Sequence, residues 1–269
     1  MASLNPLVQS STLVYQSYRR EGCPDWMQRC LASVSDWSAQ HQFDYQIIGD
    51  EIFELNPQWF NQKIGSRTPI LSDLARLKYA EYALKTYHRV IWLDADVFIF
   101  APEHFKLPDA DYLFGEERWV QPQKKGSKLK WKVFKNVCNA LCMFRREQPF
   151  LSFYIHASER VIRHANPDFI APQMIGPKLL SALHNIINLP TTTQLGSASP
   201  HMLTDLANGA GPALNHMMSA PVSQPCVALN LCKSLIDTQA YDQEVITPSR
   251  LNKAMDTLCA IGPLGTPCT

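Results

Sequence analysis

The sequence predicts an α/β fold in which helices flank a mostly parallel sheet, and three observations carry that expectation. Strand-like and helix-like segments alternate from Thr12 to Leu93, the order that builds parallel sheets. The segment Arg89 to Leu93 is almost wholly apolar, as a strand covered on both faces must be. Hydrophobic residues make up 46% of the 269, enough for a buried core.

Each element follows from its residues. Thr12 to Tyr18 is rich in β-branched and aromatic side chains and stops at Arg19-Arg20-Glu21-Gly22, so it reads as a strand. A helix follows from about Pro24, because Trp26, Met27, Cys30, Leu31, Val34 and Trp37 recur at three-to-four spacing and form one apolar face. Phe43 to Asp50 reads as the second strand. Thr68-Pro69 offers a hydroxyl N-cap before a proline that suits the first helical turn, and that helix is expected to run to about Tyr87. Arg89 to Leu93 is the third strand.

Beyond Pro102 the pattern weakens. Tyr112 to Gly115 and Asn139 to Phe144 read as further strands and Pro149 to His164 as a helix. From Pro190 onward Pro, Gly, Ser and Thr crowd the chain, which predicts loops and short helices packed on the main domain rather than a second sheet. One domain over 1–269 is expected, with a nucleotide-binding half (1–110), an acceptor half (111–190) and an irregular C-terminal segment (191–269).

Composition excludes some classes. Lys plus Arg (25) nearly balances Asp plus Glu (24), so no global field draws the chain onto nucleic acid or an anionic membrane. The N-terminal residues lack a cationic segment followed by an apolar run, and nowhere do some eighteen apolar residues follow one another. A soluble, cytoplasmic protein without a transmembrane segment is the expectation. The eight cysteines show no CxxC pair and read as mostly buried thiols, not as disulfides or a zinc site.

Ile91 to Phe100 (IWLDADVFIF) is the most informative segment. Asp94 and Asp96 interrupt an apolar run, where a carboxylate is poorly solvated without compensation. One reading is a strand-terminal Asp bonded to backbone, with an exposed neighbour. The other is a pair converging on a hard divalent cation that keeps positions open for water and phosphates. The pair falls at the carboxyl end of the most buried strand, where sheets of this kind bind ligands, and this favours the second. On the preceding helix, Asp73 and Arg76 lie on or beside the apolar face at about 100° per residue. They form either a semi-buried ion pair or a cleft-facing set, the carboxylate holding sugar hydroxyls and the guanidinium countering phosphate charge.

Ser72-Asp73-Leu-Ala-Arg76 followed by Asp94-Ala-Asp96 resembles the signature of the DXD-motif sugar-binding-region glycosyltransferases, which include yeast-type mannosyltransferases and clostridial toxin glucosyltransferase domains. Asn139 to Phe144 resembles the family's asparagine-led strand, and Ile175 to Leu180 its Gly-Pro segment before a helix, so the likeness spans about Leu13 to Leu180. The family's glycine-rich turn and tyrosine are replaced here by Thr86-Tyr87-His88-Arg89 and Trp92. The resemblance implies a GT-A-type, Rossmann-like fold and a UDP- or GDP-sugar donor, with Mn²⁺ or Mg²⁺ as cofactor. It implies transfer of a hexose, usually with retention, to a glycan, lipid or protein hydroxyl. By the same resemblance Tyr15, Gln16 and Ser17 line the nucleotide pocket, and Asp73, Arg76 and Asn139 contact the donor sugar. Asp96 binds metal directly, Asp94 touches ribose or a metal-bound water, and Asp94, Asp96 and Arg76 form the catalytic set.

Weaker signals complete the reading. Gln121 to Lys135 holds six lysines and one tryptophan, as a solvated loop or as a flap with Trp131 stacking on a sugar. His201 and His216 are candidates to complete a metal shell, though either can equally be an ordinary residue. Two other functions compete. One is a haloacid-dehalogenase-type phosphatase with Asp94 as nucleophile, opposed by Val97 where such enzymes carry Thr. The other is a sugar-nucleotide-binding module without turnover, opposed by the retention of both aspartates.

Overall fold

A computed structural model describes residues 10–19, 21–125, 128–236 and 245–267, with the side chains of these except 124, 125, 128 and 129. In chain order come β1 (Thr12–Ser17), α1 (Asp25–Gln40), β2 (Asp44–Ile48), α2 (Gln58–Ile64), α3 (Thr68–Ala83), β3 (Arg89–Leu93) and β4 (Val97–Ile99). Two long strands, β5 (Tyr112–Lys125) and β6 (Lys128–Arg145), precede α4 (Phe150–His164), α5 (Pro177–Ile187), β7 (Thr191–Thr192) and β8 (Leu195–Ser197). Then follow α6 (Pro200–Asn208), α7 (Pro212–Ser219), β9 (Pro221–Val222), β10 (Ala228–Asn230), α8 (Pro248–Ile261) and β11 (Thr266–Pro267).

The main sheet has the order β2-β1-β3-β6-β5-β7. β1 is parallel to β2 and β3, β6 is antiparallel to both β3 and β5, and β7 is parallel to β5. Five strands therefore share one direction and only β6 is reversed, so the sheet is mostly parallel and flanked by helices. Successive side chains of a strand point to opposite faces, and both faces are covered. Leu13, Tyr15, Val90 and Trp92 enter a core shared with α3 and α4. Val14, Ile91 and Leu93 enter another, shared with α1, α6 and α8.

The C-terminal part departs from expectation. β10 pairs with β8 on one side and with β4 on the other in a second, three-stranded sheet, and β9 pairs with β11. Single inward residues such as Leu195, Ala228 and Leu229 are fully buried in the core above α1. These strands are only three residues long, too short to show a period-two pattern among Pro and Gly. α8, at 14 residues, is also longer than a short helix.

Smaller corrections concern ends. Arg67, not Thr68, occupies the N-cap of α3, and Thr68 is already helical. The helix stops at Ala83, and in the turn that follows the carbonyls of Leu84, Thr86 and Tyr87 accept from Arg146. The described residues of the lysine-rich run, 121–125 and 128–135, belong to the β5/β6 ribbon. Cys30, Cys138, Cys142 and Cys226 are buried free thiols, while Cys23 and Cys232 are half-buried and Cys259 is exposed; Cys268 lies outside the described residues. No helix among them is long and apolar enough to cross a membrane.

Candidate active site

The acidic pair sits where the chain leaves one sheet and enters the other. Asp94 follows β3, and its N–H donates to Ala140 O (2.9 Å) in β6; Val97 N then donates to Asp94 O (3.0 Å), closing a tight turn into β4. Leu231 N, just past β10, donates to Asp96 O (2.9 Å). Both carboxylates thus stand at the carboxyl end of a central strand, the crevice that open α/β sheets use for ligands.

Asp94 is held by three donors. Arg76 Nη1 (2.8 Å) and Trp92 Nε1 (2.7 Å) reach Oδ1, and Asn230 Nδ2 (3.2 Å) reaches Oδ2. Arg76 also donates to Asn139 O (2.8 Å), lies 3.1 Å from Asp73 Oδ1 and has its guanidinium 4.7 Å from the Trp92 ring centroid. Asn139 Nδ2 donates to Asp73 Oδ1 (2.7 Å). Burial disfavours the Arg76 charge, yet the Asp94 and Asp73 carboxylates outweigh it and hold its pKa above the ordinary value. Burial pushes the Asp73 carboxyl up to about 6, against the pull of Arg76 and Asn139.

Asp96 is differently placed. Lys233 N donates to its Oδ2 (2.7 Å), and burial followed by the Asp94 charge pushes its pKa up to about 6, opposed by that backbone N–H and by the Lys233 ammonium. Beside it opens a cavity of about 290 Å³ lined by Tyr18, Arg19, Pro24, Trp26, Lys233, Ile236 and Pro248. Arg19, Lys233 and the half-buried Tyr18 line it, with Asp96 joined to it through Lys233, a set that suits a planar ring and an anion. A larger cavity of about 340 Å³ includes Lys85, Arg145, Arg146 and Glu147. It lies at the opposite end of β3, where Arg89 pairs with Arg145, away from the acidic pair.

Several expected contact residues turn out to be supports beneath the crevice. Tyr15 has no exposed surface, and its hydroxyl donates to Arg76 O (2.7 Å). Gln16, also fully buried, donates from Nε2 to Asp94 O (3.0 Å) and accepts from Tyr45 Oη (2.7 Å). Ser17 is half-buried, with Oγ 3.5 Å from Gly49 O. Asp73, Arg76 and Asn139 are only 5–6% exposed and bonded to one another. The three form an internally bonded ion network that also holds Asp94. Gly176 packs against them so closely that a Cβ there would lie 2.7 Å from both Asn139 Nδ2 and Asp73 Oδ2. The Gly-Pro segment before α5 owes its glycine to that approach.

The sequence reading did not single out Tyr18, Arg19, Asn230 or Lys233. Tyr18 and Arg19 lie immediately past the β1 residues that it chose, so extending the strand-end rule was the available signal. Asn230 and Lys233 carry no local signal, since they reach the site only through the pairing of β10 with β4. His201 and His216 lie around Trp131, with ring centroids 5.4 and 6.4 Å from it. Among the described residues no group of three His, Cys, Asp or Glu side chains is arranged to hold a metal ion.

No protein-family model matches the chain, and no curated protein sequence matches it. Among solved structures it is similar to a glycosyltransferase involved in the glycosylation of the major capsid of PBCV-1, with 9% identity, covering 91% of this chain and 98% of that one, at a TM-score of 0.45. A second is the galactosyltransferase LgtC in complex with donor and acceptor sugar analogs, with 12% identity, 91% and 95% coverage and a TM-score of 0.43. A third is the catalytic domain of Drosophila β1,4-galactosyltransferase 7 in complex with xylobiose, at 12% identity, 61% and 66% coverage and a TM-score of 0.28.

Proposed function

We propose that this chain is a metal-dependent glycosyltransferase that moves a hexose from a nucleoside-diphosphate sugar, a UDP- or GDP-sugar, to a hydroxyl acceptor, with retention at the anomeric carbon. The observation that carries the reading is the position of Asp96 between a braced Asp94 and a cavity bordered by Arg19, Lys233, Tyr18 and Trp26. Asp73, Asp94 and Asp96 are matched in number by Arg76, Lys233 and Arg19. Their oxygens suit a hard divalent cation held by one or two carboxylates and completed by water and substrate phosphates, so the residues fit Mn²⁺ or Mg²⁺.

Asp96 is the direct metal ligand in this reading, because both oxygens of Asp94 already accept hydrogen bonds. When bound, the cation neutralises charge on the departing diphosphate without a proton donor. Lys233 and Arg19 add positive charge where the diphosphate lies, and Tyr18 offers a face to the base. Asp94, with Asn230 and Arg76, fixes the floor of the site so that donor and acceptor are held close together. The same three donors leave Asp94 ill-suited to nucleophilic attack on phosphate, which favours the transferase over the phosphatase.

A screen of sugar nucleotides with Mn²⁺ tests the proposal by following release of nucleoside diphosphate. Wild type is expected to hydrolyse one donor class slowly and Asp96→Ala to release essentially none. Equal rates for the two proteins would exclude the assignment.

A further inference from the structure

The β5/β6 ribbon extends from the site, and its two faces differ. Residues paired across antiparallel strands share a face, so Glu117, Trp119 and Gln121 lie on the same side as their partners Asn136, Phe134 and Lys132. The opposite side carries the buried Arg118 and Val120 and Trp131 with its two histidines, and it rests on α6 and α7. The first side keeps half-buried Trp119 and Phe134 rings and exposed Lys130 and Lys132. Trp119 Nε1 donates to Gln121 Oε1 (3.0 Å), and the Lys132 ammonium stands 4.4 Å from the Phe134 ring centroid.

This face runs directly into the acidic site. Asn136 Nδ2 donates to Glu117 Oε2 (3.1 Å), and burial raises the Glu117 pKa while Asn136 and Ser197 oppose the rise. Ser197 Oγ is 3.5 Å from Cys138 Sγ and pairs in register with Asn230, which holds Asp94. The Cys232 thiol, raised by burial, also feels the carboxylates of Asp96, Glu117 and Asp94. Glu117 therefore closes the same crevice from the ribbon side, opposite the Arg19 and Lys233 cavity.

We propose that this ribbon face binds the acceptor, and that the acceptor is an acidic oligosaccharide. Its terminal ring lies on Trp119 and Phe134, and the hydroxyl to be glycosylated donates a hydrogen bond to Glu117. The apolar face of a sugar ring stacks on aromatic side chains, and Gln121 supplies amide hydrogen bonds to its hydroxyls. Lys132 stands opposite Gln121, but its ammonium reaches back to the Phe134 ring, while Lys130 lies further out. Lys132 therefore selects a carboxylate or other anionic group on or next to the terminal sugar. This inference rests on the transferase reading for its direction, but not for the existence of the saccharide site.

Binding of tetragalacturonate and of neutral maltotetraose to the full chain, followed by calorimetry and by the indole N–H resonance of Trp119, tests it. Trp119→Phe identifies that resonance. The expected result is that tetragalacturonate shifts the resonance and binds more tightly than maltotetraose. Trp119→Ala and Phe134→Ala should each weaken it about tenfold or more, Trp119→Phe should retain most of the affinity, and Lys132→Glu should weaken the charged probe alone. No shift of the Trp119 signal with either probe overturns the proposal, as does binding indifferent to these variants. Hexaglutamate binding as tightly as tetragalacturonate also overturns it, by showing a polyanion site with no saccharide preference. Release of nucleoside diphosphate to water by wild type is read separately. A protein that binds tetragalacturonate through Trp119 but cleaves no sugar nucleotide refutes the transferase reading and leaves the saccharide site standing.

Discussion

The two aspartates of one Asp-Ala-Asp turn live in opposite circumstances. Asp94 accepts from Arg76, Trp92 and Asn230, behind which stand Asp73, Asn139 and Tyr15. Asp96, two residues on, accepts from the backbone of Lys233 and borders an open cavity. The contrast teaches that two identical side chains two residues apart can divide labour. One carboxylate is spent on holding the turn, while the other accepts from a backbone N–H beside the Lys233 ammonium.

Four changes test that division, beginning with the largest expected effect. Arg76→Leu removes the guanidinium shared by Asp73 and Asp94, leaving both carboxylates without their ion-pair partner at a cost of about 3–5 kcal/mol, visible as a lower urea midpoint. Asp96→Asn is expected to reduce release of nucleoside diphosphate by about 10²–10³-fold with an unchanged or higher urea midpoint. Destabilisation by Asp96→Asn as large as that by Arg76→Leu would erase the distinction between brace and ligand. Gly176→Ala forces a methyl against the Asp73–Asn139 pair, a strain of about 1–3 kcal/mol, and should cost stability first and activity only through it.

The smallest effect is a pH slope. The folded-state pKa of Asp73 is raised to about 6, above the ordinary carboxyl value near about 3.9, so the folded state holds this proton more tightly than the unfolded chain. The stability it contributes is fully present below about pH 4 and is lost as pH rises through about 6. Asp73→Asn should remove that part of the slope in urea titrations between pH 4 and 7. An unaltered slope would place the titration elsewhere and weaken the account of the buried network.

Much of the fold was legible. β1, α1, β3 and α4 match the expected segments closely because each carries its own evidence, an apolar run or a three-to-four repeat bounded by Pro, Gly or charge. The acidic pair was legible for the same reason, as two charges in an apolar strand. The extent of the β5/β6 ribbon was not, since lysines at alternate positions look the same in a solvated loop and on the exposed face of a strand. Nor were β8 and β10, three residues each, which pair with each other while β10 also pairs with β4, more than a hundred residues earlier in the chain.

By itself the sequence determined the alternation of elements, the burial of Arg89 to Leu93 and the place of Asp94 and Asp96 at its end. These are local facts, set by hydrophobicity and backbone preference within a few residues. Only the tertiary structure decided that Arg76 faces Asp94 and not solvent, and that Lys233 and Asn230 arrive beside the pair. It also decided that Tyr18 and Arg19, in place of Tyr15, wall the cavity. Those outcomes depend on which distant surfaces pack together, and a carboxylate's role follows from the donors that packing brings to it.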